Sequence, residues 1–244
     1  MSKSSGLGTR AEARNDLHAD GSSTAVLRDL LEGRWSCRSF DRNPVPRSDI
    51  EGILEITRWT PSWCNTQPWH VHITEGSATE RLRQAIGERI LRQVRQEPDI
   101  DFPTSYEGVY KERRRESGWQ LYESLGIAKG DRAASGEQML KNFDFFGAPH
   151  VAIITTERAL GPYGAVDCGL FVSNFLLAAH SMGIATVPQA ALAAQAPTIR
   201  DFFDIPDERQ ILLGISFGYP DLVDPVNSYR TERQSLGEVA TFVR

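Results

Sequence analysis

One segment of the chain, Gly164 to Met182, is almost entirely apolar. It is too short to cross a bilayer but has the length of a helix that is buried on most of its surface. Apolar, β-branched runs lie on either side of it, His150 to Thr156 and Ile184 to Val187, and both are typical of buried strands. We therefore predict a sizeable hydrophobic core built around this helix.

Helical and extended patterns are interleaved along the rest of the chain, which predicts an α+β or α/β sandwich. The polar stretch Met1 to Ser22 lacks the apolar segment of a signal peptide and is predicted to be a disordered arm before a single domain, residues 23–244. Residues 97–130 are predicted to form a partly helical excursion over a site opening. The other predicted helices are Ser23 to Gly33, one starting at Pro46, Thr79 to Gln96, Asp131 to Phe146 and one near Gln195, and the other predicted strands are Trp69 to Thr74 and Gln210 to Gly218.

Charge and cysteine content narrow the functional classes. The 27 basic and 32 acidic residues give a net charge of −5, so no nucleic-acid partner is expected. The apolar runs indicate no membrane segment. Cys37, Cys64 and Cys168 cannot all pair, and none has zinc-site spacing. These features predict a soluble cytoplasmic protein without a metal.

A first short segment has the residues of an anion site. Arg34, Trp35, Ser36 and Arg38 supply two guanidinium groups and a hydroxyl around an indole ring. A guanidinium can bind a phosphate through two parallel hydrogen bonds. The alternative for any single arginine is a surface ion pair of little energetic consequence.

A second short segment suits a flat heterocycle. Pro61, Ser62, Asn65 and Gln67 lie in a loop broken by prolines and containing two tryptophans. Amide side chains can bind alternating donors and acceptors on the polar edge of such a ring. The alternative for Asn65 and Gln67 is a turn in which their amides are satisfied locally.

Together these segments resemble the flavin-binding segments of FMN-dependent nitroreductases of the NAD(P)H:nitroaromatic type, and the resemblance extends over about residues 23–244. It implies an α+β, three-layer sandwich with a central mixed sheet flanked by helices. It also implies a homodimer in which the C-terminal segment is exchanged between subunits. The tail after Gly218 agrees with this, because it has little of its own to pack against.

The resemblance also implies a role for each matching position. The first segment and Arg233 would hold the FMN phosphate, and Pro61 to Gln67 would reach the flavin of the other subunit. A backbone N–H after the third strand would face flavin N5. The residues at that place are Pro188, Gln189, Ala190 and Ala191, where the family often has an acidic residue and a glycine.

The implied activity is reduction of nitroaromatic compounds to the nitroso and hydroxylamino level with NADH or NADPH, in a ping-pong cycle. No catalytic side chain is expected, because the flavin carries the chemistry. Quinones are expected as further acceptors. The alternatives are a quinone reductase or a reductive dehalogenase on the same fold, or a flavin-binding protein without turnover.

Three other features have simpler interpretations. His70 and His72 share a strand face but have no third ligand nearby in the sequence, so no metal site is expected. Cys64 is expected to be an inert thiol. Trp63, Phe145 and Phe146 could line the acceptor pocket, although packing in the core would explain each of them equally well.

Overall fold

The computed structural model describes residues 21–244. These fall into two compact units, one ending at Arg34 and one running from Trp35 to Arg244. Of the predicted arm, Met1 to Ser22, all but the last two residues lie outside the described part of the chain.

The first unit contains helix α1 (Ser22–Gly33), as predicted. The helix follows Gly21, and no side chain caps its first turn. It has no buried residue, and its apolar Val26, Leu27 and Leu31 are exposed.

The second unit interleaves helices and strands in the predicted order. Two predicted helices end earlier than expected: the one predicted to reach Gln96 ends at Leu91. The one predicted to reach Phe146 ends at Leu140, and both Phe145 and Phe146 have positive φ angles in a 3-10 turn. The helices are α2 (Arg47–Thr57), α3 (Ser77–Leu91), α4 (Gly108–Ser124), α5 (Arg132–Leu140), α6 (Gly161–Ser181), α7 (Ala196–Phe203) and α8 (Leu236–Val239), and the strands are β1 (His70–Ile73), β2 (His150–Glu157), β3 (Ala185–Gln189) and β4 (Arg209–Gly218).

The four strands form one sheet in the order β1-β2-β4-β3, and each neighbouring pair is antiparallel. The parallel component is an isolated bridge between Ser36 and Thr186 at the outer edge of β3. The mixed character implied by the resemblance therefore comes from the first segment, which lies along this edge.

Helices cover both faces of the sheet. Because side chains alternate along a strand, Val151 and Ile153 of β2 point into one hydrophobic cluster and Ala152 and Ile154 into the other. Helices α3 and α7 contribute to the first cluster, and α2 and α6 to the second. This three-layer arrangement confirms the predicted α+β fold class.

Helix α6 is the apolar helix predicted from the sequence. Its buried residues include Phe171 and Phe175, which pack in the second cluster together with Phe217 of β4. The prediction that this segment is too short to cross a bilayer is wrong, because the helical stretch Arg158–Ser181 is long and apolar enough to do so by length and composition alone; half of its most apolar part, however, is buried inside the fold. Such burial is expected for the core helix of a sandwich.

The excursion after α3 is anchored at its start. The Asp99 carboxylate accepts hydrogen bonds from Arg158 at 2.5 Å, from Arg200 at 2.7 Å and from the backbone N–H of Ile211 at 2.7 Å. The Glu97 N–H donates to Ala194 O at 3.1 Å. The excursion therefore leaves the fold from a fixed point, and α4 is its helical part; that it covers a site opening stays a prediction.

A buried histidine links three parts of the second unit. His150 is 1% exposed; its Nε2 accepts a hydrogen bond from Val45 N–H at 2.9 Å, and its Nδ1 lies 3.1 Å from Thr74 O. With Nδ1 as the donor, this pattern requires the neutral ring, and burial lowers the pKa of His150 below its ordinary value of 6.5.

We predict that this histidine makes stability depend on pH. Below about pH 6.5 the unfolded chain binds a proton that the folded His150 resists, so the unfolding free energy should fall as the pH decreases from about 7 to 5 and level off above that range. Urea unfolding at several pH values measures the slope. The His150→Gln variant should be less stable than the wild type, and its stability should depend less on pH; an unchanged slope would contradict the prediction. We attribute the pH dependence that remains in this variant to His70 and His72, whose pKa values are also lowered by burial.

Candidate functional site

The first segment docks on the outer edge of β3. The backbone N–H of Cys37 donates to Thr186 O at 3.0 Å, next to the bridge between Ser36 and Thr186. Cys37 itself is buried, and this burial raises the pKa of its thiol to about 11. The thiol is thus protonated and serves packing, while its neighbours on either side carry the polar groups.

Arg38 has donors available for an anion. Its Nη1 donates to Tyr229 Oη at 2.7 Å and to Ser36 O at 3.1 Å. Its Nε and Nη2 make no hydrogen bond within the described residues. These contacts hold the guanidinium in place and leave one edge of it for a ligand such as phosphate.

The C-terminal arginines behave differently from each other. Arg230 lies over the Trp35 ring, 4.2 Å from its centroid, and donates to Asn227 O and Tyr229 O. Arg233 is exposed, and its hydrogen bonds within residues 21–244 go to Thr231 and Glu232, its near neighbours. The structure therefore brings Arg230 to the first segment, whereas the predicted phosphate ligand Arg233 is held by its own loop and not by the rest of the fold.

These arginines also lack acidic partners. Across the described residues, none of Arg38, Arg230 and Arg233 forms an ion pair with a carboxylate, although Arg83, Arg200 and several other arginines do. Neighbouring guanidiniums without counter-ions form a site that favours an external anion. Arg34, the remaining predicted phosphate ligand, is the last residue of the first unit.

Asn227 connects the first segment to the tail, and sequence reasoning missed it. Its Oδ1 accepts the backbone N–H of Arg38 at 2.8 Å, and its Nδ2 donates to Ser39 O and Asp221 O. The side chain is 4% exposed. Its position in a turn-rich tail gave no signal, since only the folded chain brings Asn227 to residues nearly 190 positions away.

The second segment forms an exposed, strained turn. Cys64, Asn65 and Gln67 have φ angles of 52°, 54° and 47°, in the left-handed region that non-glycine residues rarely adopt. Ser62 stabilises the turn, because its Oγ accepts the Gln67 N–H at 2.9 Å. The Asn65 side chain makes no hydrogen bond among the described residues, and Gln67 Nε2 donates only to Asn65 O at 3.2 Å. Both side-chain amides are exposed, so a ligand can reach them. Backbone strain of the kind seen in this turn is frequent at functional sites.

The third segment is the end of β3 and the start of a 3-10 turn, Ala190–Gln195. Pro188 pairs with Ile215 in the sheet. The Gln189 side chain is buried: its Nε2 donates to Asn142 O at 2.8 Å, and its Oε1 accepts from the Ser216 hydroxyl. Of these four residues Ala190 is exposed, Pro188 and Ala191 are partly exposed, and the buried Gln189 amide joins the strand to Asn142 and Ser216.

A glycine sets the position of that turn. A Cβ on Gly214 would lie 2.4 Å from Leu192 Cδ1, so the bare backbone of β4 lets Leu192 pack directly on the sheet. Leu192 is fully buried and follows Ala191 directly. The turn that begins at the end of β3 is thus fixed by packing.

Two cavities are lined in part by residues of α6. One, of about 250 Å³, is lined by apolar residues of α6, β4 and the excursion, among them Phe102, Cys168, Val172 and Ala193. The other, of about 220 Å³, lies between the second segment and α6. Trp63 lines this second cavity and is exposed. Phe145 and Phe146 instead lie in the core, so packing accounts for both.

Two secondary expectations concern His70, His72 and Cys64. The rings of His70 and His72 are in contact, with centroids 4.6 Å apart. No group of three or more potential metal ligands occurs in the described part of the chain. Cys64 is exposed in the strained turn, and nothing in its surroundings tests its expected inertness.

The donors present fit a phosphorylated flavin. Arg38, Arg230 and the hydroxyls of Ser36 and Tyr229 form a cationic site, and the buried Trp35 Nε1 has no hydrogen-bond partner among the described residues. The site lies at the edge of β3, which leads directly to the turn at Ala190.

Comparison with known proteins establishes the family. Residues 31–219 match the Nitroreductase family. The chain belongs to that family. It is 35% identical to nitroreductase NfnB of Mycolicibacterium smegmatis over 218 residues, which is 88% of this chain and 92% of that protein. A 4-nitrobenzoate reductase of Nocardioides sp. is 33% identical, over 88% of each chain.

A solved structure shows the same fold. The crystal structure of the FMN-dependent nitroreductase NfnB from Mycobacterium smegmatis, in complex with NADPH, superposes with a TM-score of 0.87 at 33% identity. The match covers 91% of this chain and all of that one. The resemblance inferred from the first two segments is thereby confirmed for the family and for the fold.

For this nitroreductase-family protein we predict that Arg38 discriminates FMN from riboflavin. A guanidinium bound to phosphate contributes roughly 1.5–3 kcal/mol, so Arg38→Ala should weaken FMN binding about 10- to 150-fold. Riboflavin, which lacks the phosphate, should bind the variant and the wild type equally. Fluorescence titration of the apoprotein with both flavins tests this, and an equal loss for the two would show that Arg38 acts on the ring or on the fold. Arg233→Ala, in parallel, shows whether the exposed arginine joins the site.

Proposed function

We propose that this protein binds FMN and reduces nitroaromatic compounds with NADPH or NADH. The observation that carries the proposal is the group of Arg38, Trp35 and Arg230 beside β3, whose two guanidiniums form no ion pair with any carboxylate of residues 21–244 and are proposed to bind the flavin phosphate. The names of its relatives support the substrate class. Besides the NfnB and nitrobenzoate reductases, a chloronitrobenzene nitroreductase of Comamonas testosteroni is 32% identical over 88% of this chain.

The reaction has two stages that consume one nicotinamide each. NAD(P)H and a proton convert the nitro group to a nitroso group and water, and a second NAD(P)H and proton convert nitroso to hydroxylamino. The chemistry supplied by bound FMN is hydride transfer between the nicotinamide and the acceptor. The residues of the chain hold the phosphate at Arg38, present backbone at Ala190 and Ala191, and offer the exposed amides of Asn65 and Gln67 to the polar edge of a ring. Quinones are proposed as further acceptors.

We also propose that the active form is a homodimer in the cytoplasm, with flavin sites shared between subunits. Helix α6 exposes a row of apolar side chains, Tyr163, Val166 and Leu170, at helical spacing. All residues of the tail from Thr231 onward are exposed, and they include Phe242 at 79%. Exposed apolar surface of this extent is typical of an interface. The exposed thiol of Cys64 is compatible with a reducing compartment.

Cofactor content and turnover test the proposed function. We predict that the purified protein carries FMN, identified by mass after heat release, and oxidises NADPH steadily only when a nitroarene such as nitrobenzene or 4-nitrobenzoate is added. Product analysis should find the hydroxylamine. FAD in place of FMN would refute the phosphate assignment, and bound FMN without turnover on any nitroarene or quinone would indicate a flavin-binding protein.

Two truncations test whether the tail forms the dimer, and together they separate this effect from the loss of the phosphate-site residues. Removal of residues 228–244 deletes Tyr229, Arg230 and Arg233, so we predict a monomer without FMN. Removal of residues 235–244 keeps those residues and deletes only α8 and the exposed end. We predict that this shorter truncation also weakens the dimer and lowers FMN occupancy, because the site needs two subunits. Light scattering and flavin absorbance report the two properties, and a dimeric, fully flavinated 235–244 deletion would contradict the role of the tail end.

A further inference from the structure

Helix α6 contacts the strained turn of the second segment and holds it in place. Two side chains of the helix, Tyr163 and Asp167, contact the turn, and a third, Asn174, contacts the residues just before it; the three are spaced four and seven residues apart. Residues at such spacings lie on one face of a helix. Asn174 Nδ2 donates to Thr60 Oγ1 at 2.8 Å just before the turn, and the Tyr163 ring meets the Trp63 ring edge-on at 4.5 Å.

Asp167 makes the contact at the start of the turn. Both of its carboxylate oxygens lie 3.2 Å from the backbone N–H of Trp63, the first residue of the 3-10 turn Trp63–Asn65. The residue is 6% exposed, and among the described residues it forms no ion pair. Burying a carboxylate without a cation is costly, so its retention here calls for a specific role.

We propose that Asp167 is a positioning residue for the flavin: it fixes the N–H of Trp63 and so maintains the left-handed conformation in which Asn65 and Gln67 present their amides. A carboxylate suits this role, because a hydrogen bond to a charged acceptor is stronger than one to a neutral acceptor. Without it, the backbone of residues 64–67 can relax to unstrained φ angles, and the amides then point elsewhere. The inference rests on the proposed function, because it assumes that the second segment contacts FMN.

Substitutions at Asp167 separate the effect of its acceptor oxygens from the effect of its side-chain volume. Asp167→Leu conserves volume and removes the acceptor, and we expect it to raise the Kd for FMN at least ~10-fold, the equivalent of one hydrogen bond to a charged group. Asp167→Asn keeps an acceptor oxygen and should restore most of the affinity. The matched control on the same helix face is Asn174→Ala, which removes the contact before the turn and should have a smaller effect. Equal affinity of the Leu variant and the wild type would overturn the proposal.

A second pair of variants removes the same hydrogen bond from the other side. Trp63→Pro and Trp63→Ala both lose the indole, but only proline also loses the N–H, and the first position of a helical turn tolerates proline. We expect the Pro variant to bind FMN more weakly than the Ala variant, by about the ratio found for Asp167→Leu. In an Asp167→Leu background the two should bind alike, since no acceptor remains; a persisting difference would overturn the proposal. Circular dichroism of each apoprotein verifies folding.

Mixed dimers test whether Asp167 acts on the flavin of the other subunit. Arg38→Ala and Asp167→Leu protomers carrying different tags are co-expressed and purified as heterodimers. If the second segment reaches across, one site contains both defects and the other contains neither, so each heterodimer should bind one FMN with wild-type affinity. If Asp167 serves its own subunit, both sites carry one defect and no tight binding appears, which would overturn action across the interface.

The outcomes also distinguish this inference from the proposed function. If the wild-type protein binds no FMN, the proposed function fails. If the wild type binds FMN and Asp167→Leu binds it equally well, only the positioning role fails. Because the readout is flavin affinity and stoichiometry, neither result depends on the acceptor chosen for an activity assay.

Discussion

The packing of α6 against the sheet is the constraint on which the candidate site depends. The helix has nine buried residues between Gly164 and Ala179, and strand β3 follows it after a tight turn at Gly183. The start of β3 binds the first segment through Thr186, and its end leads into the turn at Ala190. The same helix contacts the second segment through the hydrogen bond from Trp63 N–H to Asp167. Three segments that are far apart in sequence are thereby positioned by one helix and the strand after it.

The candidate site differs from the rest of the described chain in the pairing of its arginines and in its backbone φ angles. Elsewhere, arginines such as Arg200 are paired with carboxylates, and positive φ angles occur mainly at glycines. In the candidate site, Arg38 and Arg230 form no ion pair with the acidic residues that the structure describes, and three non-glycine residues adopt left-handed conformations. Such departures reduce stability unless a ligand compensates for them, and they are expected at functional sites.

The tail is packed at its start and exposed at its end. Asn227, Tyr229 and Arg230 are ordered by contacts with the first segment. Beyond them, α8 has a capping box between Ser235 and Glu238 but no buried residue. A short helix without a packed face gains little from its own hydrogen bonds, so its stability has to come from another surface. A second subunit would supply that surface and would also bury the apolar row on α6.

The sequence by itself determined the apolar helix, the strands around it and the two segments whose residue types indicate a phosphate and a flat ring. These follow from local chemistry, namely periodicity and the donors that each side chain carries. It overestimated the length of two helices, which end at Leu91 and Leu140.

Only the tertiary structure revealed that Asn227 joins the tail to the first segment, that Arg230 and not Arg233 lies against Trp35, and that Asp167 holds the Trp63 turn. Each of these contacts joins residues about a hundred or more positions apart. No local pattern encodes them, because the partners become neighbours only when the helices and the sheet pack together.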